Sequence, residues 1–453
     1  MRAKRSYSAV DVEQIDIEAV VLLLTVGCIV AIDVAKTKFV AAMATAAGEV
    51  RKLLRFEHPR QTKVFLDVLR GLQRAELKPV VVMEPTGTYG DAVRYQCHAL
   101  GLRVHMMPPK HSHDFAEVFD GVPSMHDPKA AAVLAKLQAI KPGRVWQPES
   151  DGRRELRGWV DRRRPVVRVL GIYHGHLEAL MARHWPEFAA HVDVYHHRSW
   201  FALLKEFPGP QAAAGASEAA AEVLRKASRG HFSHARAQEI VGSAKSTVGV
   251  PMTAGEQERL RDITEQIEWH TGRLAVVDAK LAELVEQDPV LGRMATVVGA
   301  SCAAAIGALV GSPLDFTNAR ALEKAIGLNL KEKSSGNTRG QMKITKRGPG
   351  QVRQLLFMAA LRHMKDDATA LSWCRARKGY KGDQKMKAVV ALMRKLTRAL
   401  WHVARGEAYD PSKLFDTRRL DVASVSNGRS RVAAPASPSA AAAKLCEGGA
   451  AIA

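Results

Sequence analysis

Three acidic residues stand where a carboxylate is costly to keep unless it has a task. Asp33 lies inside the apolar run Ile29-Val30-Ala31-Ile32-Asp33-Val34. Desolvating a lone Asp in a strand interior is expensive unless the charge is paired or binds metal. Glu84 closes a second apolar run, Val80-Val81-Val82-Met83-Glu84, and Asp127 opens the helical stretch Asp127–Leu137. Two strand carboxylates meeting a helix carboxylate can hold Mg²⁺, which takes hard oxygen ligands and keeps waters for chemistry. Two such ions can activate a nucleophile and stabilise the leaving oxygen in phosphodiester cleavage. Each acid also has a structural reading. Asp127 before Pro128 has the form of an N-cap followed by proline at the first helical position, and Glu84-Pro85 can simply end a strand.

A second set of residues carries nucleophile chemistry. Gly327-Leu328-Asn329-Leu330 is followed by Lys333-Ser334-Ser335-Gly336 and then Lys343-Ile344-Thr345-Lys346-Arg347-Gly348. Gly336 and Gly340 would let the loop approach a phosphate closely. Lys333, Arg339, Lys343, Lys346 and Arg347 surround it with charge suited to a phosphate backbone. A serine alkoxide attacking a phosphodiester needs such cations against the developing charge. A Ser-Ser-Gly alone is equally the form of a solvated turn.

The elements that must position these residues can be read from patterning. Cys28–Val34, Phe39–Thr45, Val50–Phe56, Val80–Met83 and Arg103–Met107 read as strands; Gln61–Leu72, Ala92–Leu100 and Asp127–Leu137 read as helices. Early strands followed by strand–helix alternation predict a mixed sheet with helices on its faces. From 152 to 290 the chain reads as helical. Thr253 and Glu256 make a capping box, followed by a seam of Leu260, Ile263, Ile267, Leu274, Val277, Leu281 and Leu284, with His270 at its one interruption. This heptad spacing predicts a helix packed on a partner, within the chain or across a dimer. A third, helical block spans 290–417, and between 331 and 405 it holds 19 Lys+Arg against 4 Asp+Glu. The Ala-, Ser- and Pro-rich stretch 418–453 lacks the apolar residues to fold and reads as a disordered tail. The domains expected are thus an N-terminal extension (1–27), an α/β domain (28–150), a helical linker and coiled-coil arm (151–289), a mainly α C-terminal domain with the serine loop (290–417) and the tail.

The whole chain carries 67 Lys+Arg against 46 Asp+Glu, a net charge of +21, which favours a polyanionic partner, nucleic acid first and an anionic membrane surface second. Five scattered cysteines, Cys28, Cys97, Cys302, Cys374 and Cys446, form no CxxC pair, so neither a disulfide framework nor a zinc site is expected. Residues 16–32 include the apolar run Ala19–Val26, which is short for a membrane span and runs into a strand pattern. A cytoplasmic, membrane-free protein is the expectation.

Taken in order, three stretches resemble one family: Ala31-Ile32-Asp33-Val34-Ala35-Lys36; Met83-Glu84-Pro85-Thr86-Gly87-Thr88-Tyr89; and His126-Asp127-Pro128-Lys129-Ala130-Ala131-Ala132-Val133-Leu134-Ala135. They resemble the insertion sequence 110 family of transposases, whose N-terminal domain is RuvC-like with a D-E-D-D acid set. The resemblance implies an RNase H-like fold for 28–150, with Asp33, Glu84 and Asp127 as three of the four acids that hold Mg²⁺. The family's helix motif is D-x-x-D-A, and here Ala130 stands at the second Asp. Positions 127 and 130 share a helix face, so the alanine predicts a weakened metal site and impaired cutting. Met125 and Ala31 stand where the family often has Lys and Gly.

The same resemblance makes Ser335 the nucleophile. Val352-Arg353-Gln354-Leu355-Leu356 and the Lys387–Trp401 stretch resemble the family's C-terminal domain. Val297-Val298-Gly299-Ala300-Ser301 resembles its helix-hairpin-helix-like G-I-G turn, although a plain helix–helix turn fits as well. The resemblance further implies a homodimer or higher oligomer, with acids and serine drawn from different subunits. It also implies a bridge RNA that chooses target and donor DNA. A DNA transposase or recombinase is the expected function. The alternatives are an RNase H-like nuclease such as a junction resolvase, and a nucleic-acid-binding protein that does not cut.

Overall fold

The apolar run that ends in Asp33 becomes the middle strand of a seven-stranded sheet. Along the chain the strands are β1 (Val10–Asp11), β2 (Ile29–Asp33), β3 (Lys38–Ala44), β4 (Val50–Glu57), β5 (Val80–Met83), β6 (Arg103–Met106) and β7 (Arg144–Val145). Their order in the sheet is β1-β4-β3-β2-β5-β6-β7. Strand β3 is antiparallel to β2 and β4, whereas β2, β5 and β6 run parallel. The computed structural model describes residues 8–85, 87–121, 126–192, 199–332, 340, 342–377, 383–416 and 420. They belong to two units, Met1–Glu149 and Ser150–Ala453.

In the first unit β2 and β3 are buried on both faces, which is why they read as unbroken apolar runs rather than alternating ones. Side chains alternate between faces. Val30, Ile32, Phe39 and Met43 meet Phe65, Leu69 and Leu72 of the Thr62–Arg74 helix. Ile29, Ala31, Val40 and Ala42 meet Ala131, Leu134 and Ala135 of the Asp127–Ile140 helix. Each fully buried Leu or Val there contributes roughly 1.5–3 kcal/mol.

The segment read as an N-terminal extension contributes to this unit. Val10 and Asp11 pair with Leu54 and Arg55 of β4, and Val12, Val20 and Leu24 are buried in the same core. A two-residue strand is too short to show a period, so the pattern could not reveal it. The expected disordered tail, 418–453, lies outside the described residues apart from Leu420.

In the second unit the capping box forms as expected. The Glu256 amide donates to Thr253 Oγ1 at 3.3 Å, and the Thr253 amide donates to Glu256 Oε2 at 2.9 Å. It starts the Ala254–Gln287 helix, which lies against the Asp151–His184 helix. Leu260, Ile263 and Ile267 are buried with Leu177 and Leu180, and Val277 and Leu281 with Leu156 and Val160, so the pair is antiparallel. Between the two clusters His270 stacks on Tyr173, with ring centroids 5.9 Å apart. The seam is therefore filled by the chain's own helix, and Val285 rather than Leu284 is its last buried residue. The two ends of the pair serve different cores: one with the short helices between 186 and 242, the other with the helices from Pro289 onward.

Candidate active site

Sheet register brings the first two acids together. Ile32 of β2 pairs with Met83 of the parallel strand β5, so Asp33 and Glu84 are the next residues at the same end of neighbouring strands. By alternation Asp33 falls on the face of Ile29 and Ala31, and Glu84 on that of Val82. That face is covered by the Asp127–Ile140 helix. Gly90 lets the chain after β5 return close to this end: a Cβ there would lie 3.3 Å from Val34.

Electrostatics shows that the third acid belongs to the same neighbourhood. The Asp33 carboxyl is pushed up to about 6, first by burial and then by the charges of Asp127 and Glu84, against a small opposing effect of the Val34 amide. Like charges held near one another disfavour ionisation. Ser112, on the Pro109–Asp120 helix and 1% exposed, donates its hydroxyl to Glu84 Oε1 in a short hydrogen bond. Among the described residues, however, no three His, Cys, Asp or Glu converge closely enough to form a ready-made metal cage.

Asp127 is the first residue of its helix rather than the cap. His126 caps it, with Nδ1 accepting from the Lys129 amide at 3.3 Å. The N-cap reading of Asp127 is thereby corrected: an imidazole nitrogen can serve as the acceptor, and it frees the Asp127 carboxylate from that role. Ala130 lies one turn further along, half-buried, and Lys129 is 1% exposed. Ser112 is not visible as a site residue in the sequence, since a single Ser in an unassigned stretch carries no pattern.

In the second unit, Ser335, Lys333 and Arg339 lie outside the described residues. The ends of their segment are firmly built. Leu330–Lys331 pairs antiparallel with Lys343–Ile344, the Thr345 amide donates to Asn329 O at 2.9 Å, and the Lys346 amide donates to Gly327 O at 3.0 Å. Gly327, at φ +80°, ends the Ala319–Ile326 helix, and a Cβ there would lie 2.6 Å from the Arg347 carbonyl oxygen. Lys343, Lys346 and Arg347 are all exposed or half-exposed, and none has an acidic partner among the described residues.

The Gly299 turn joins the Pro289–Val298 and Ala300–Leu309 helices directly, with φ +83° at Gly299. Arg362 Nη2 donates to Val298 O at 2.6 Å and His363 Nε2 lies 2.8 Å from Val297 O. These contacts satisfy the carbonyls a helix end leaves open.

Residues 30–186 match a family model for a DEDD transposase of the IS110 type, and residues 294–372 match the model described as transposase IS116/IS110/IS902 family. Together they cover just over half of the sequence. The chain belongs to the IS110 family of transposases. It is a DNA transposase or recombinase by that membership, which entails binding DNA. The DEDD domain implies an RNase H-like fold for the first unit, in keeping with its antiparallel β2-β3-β4 set extended by parallel β5 and β6. It also suggests use of a divalent metal. No curated protein matches this IS110-family chain. Among the described residues no helix is long and apolar enough to cross a membrane.

Proposed function

We propose that this transposase cuts and rejoins DNA with Asp33, Glu84 and Asp127 holding Mg²⁺ and Ser335 as the nucleophile. The observation that carries the metal reading is the register that sets Asp33 beside Glu84 on the face covered by the helix that Asp127 opens, with the charges of Asp127 and Glu84 felt at the half-buried Asp33. Hard oxygen donors gathered around a carboxyl whose proton affinity their charges raise are what a divalent cation neutralises. The donor types fit the ion, and Ser112 would orient one of them. When bound, Mg²⁺ stabilises charge developing on phosphate oxygens. Ala130 in place of the fourth acid leaves the set one carboxylate short, which implies impaired cutting.

The serine reading is supported by the family resemblance and by the cations around the segment. Attack by Ser335 Oγ on phosphorus would replace one ester bond by another, so that the strand can be rejoined without an external energy source. Lys343, Lys346 and Arg347 would bind the backbone on either side. Guidance by a bridge RNA and action as a homo-oligomer rest on the resemblance alone, since the heptad seam is already filled within the chain.

The test is a trapping experiment with a DNA substrate carrying the element's ends. A denaturation-resistant protein–DNA adduct whose phosphopeptide maps to Ser335, and which Ser335→Ala removes, is the expected result. An adduct that survives Ser335→Ala assigns the nucleophile elsewhere. Cleavage without any adduct favours the metal-nuclease reading.

A further inference from the structure

A cleft of about 470 Å³ opens on the second unit, lined by Asn318, Ala319, Arg320, Arg398, Trp401 and His402. It contains no acid. Beneath it Glu323, only 2% exposed, accepts from Arg394 Nε at 2.7 Å and from Arg398 Nε at 2.6 Å. One buried carboxylate thus fixes two guanidiniums, leaving a net positive charge. Each arginine uses Nε on the carboxylate, and the Nη groups have no protein partner among the described residues. The Arg398 side chain is 42% exposed, so its free edge can face the cleft.

Arg320 adds a third cation at the first turn of the Ala319–Ile326 helix. It is exposed and makes no hydrogen bond or ion pair among the described residues. Trp401 also lines the cleft, fixed by its Nε1–H donating to Phe316 O at 3.0 Å and by the Arg405 guanidinium 3.6 Å from its ring centroid. Oriented guanidiniums select phosphate, and an immobilised aromatic wall beside them suits an unstacked base or sugar. A cleft of this size has room for more than a phosphate.

We propose that this cleft binds one nucleotide unit of an unpaired nucleic-acid strand, its phosphate on Arg320 and Arg398 and its apolar part against Trp401. The proposal rests on the nucleic-acid reading of the chain but not on the carboxylates or on Ser335. Arg320 is the residue to change, because Arg398 also holds Glu323 and its loss would unsettle the fold.

The full chain is titrated with a labelled oligo-dT about 12 nucleotides long and with a duplex of the same length, a size within the usual range for such sites. Arg320→Ala and Arg320→Glu are compared with Arg259→Ala, which removes an exposed arginine outside the cleft. Arg320→Ala is expected to weaken single-strand binding roughly tenfold, as when one charge-assisted hydrogen bond is removed, and to lower the salt slope by about 0.7. Arg320→Glu should weaken it further, while duplex binding and Arg259→Ala change little. Unchanged single-strand affinity, an equal loss with Arg259→Ala, or an equal loss on the duplex overturns the proposal and leaves the transposase reading standing. Failure of the parent chain to bind any nucleic acid overturns both.

Discussion

Asp33 and Glu84 each follow a residue of one pairing, Ile32 with Met83, at the same end of adjacent parallel strands. The sheet therefore sets two like charges side by side before any ligand is considered. Burial first, then the charge of Asp127 and then that of Glu84, holds the Asp33 carboxyl up to about 6.

This has a consequence for stability. A carboxyl whose folded value is raised binds its proton more tightly in the folded state than in the unfolded one. Its ionisation then costs stability, absent below about 4 and complete above about 6. The shift corresponds to an upper figure of about 3 kcal/mol. Asp33→Asn is expected to stabilise the metal-free protein by about 1–3 kcal/mol at pH 8, with the gain vanishing near pH 4. Denaturant melts at both pH values measure it. A gain that is the same at both would show that ionisation of Asp33 is not its source.

The seam of the Ala254–Gln287 helix makes a different kind of prediction. Leu281 is fully buried within a core that includes Leu156 and Val160 of the same chain. Leu281→Ala is expected to cost about 2–5 kcal/mol, the range for a large-to-small change in a packed core. Because the partner helix is intramolecular, this loss should not vary with protein concentration. A loss that deepens on dilution would place the seam between subunits.

Lys343, Lys346 and Arg347 flank the serine segment with accessible charge. If they bind backbone phosphates, replacing all three with Ala should flatten the dependence of DNA affinity on salt, by about 0.9 in log–log slope for each duplex phosphate no longer neutralised. Binding titrations over a range of salt concentrations check this. An unchanged slope would mean that these cations do not touch the backbone.

Much of this arrangement was legible in the sequence, for reasons that differ by element. The doubly buried β2 and β5 appear as apolar runs, so an acid inside or just beyond them stands out, as Asp33 and Glu84 do. The Thr253 and Glu256 box is a local motif and forms as read. The sequence was silent where structure depends on distant partners. β1 exists only because β4 offers an edge, and Ser112 matters only because the Pro109–Asp120 helix, whose Pro- and His-rich start hides its period, packs beside Glu84. The capping role of His126 was hidden for another reason, since imidazole is an uncommon cap and Asp127 beside it is a common one. The choice between an intrachain and an intermolecular seam could not come from spacing, which is identical in both.

Mg²⁺-dependent cleavage of an element-end DNA substrate most directly asks whether Asp33, Glu84 and Asp127 act as one metal-binding set. The parent chain, one acid short at Ala130, is expected to cut poorly. Ala130→Asp should raise cleavage by at least about 10–100-fold, the usual effect of even an outer-shell partner at a metal site. Adding Asp33→Asn or Glu84→Gln to Ala130→Asp should remove that gain, with the fold intact by circular dichroism. Cleavage by Ala130→Asp that persists undiminished after Asp33→Asn would contradict the shared metal site.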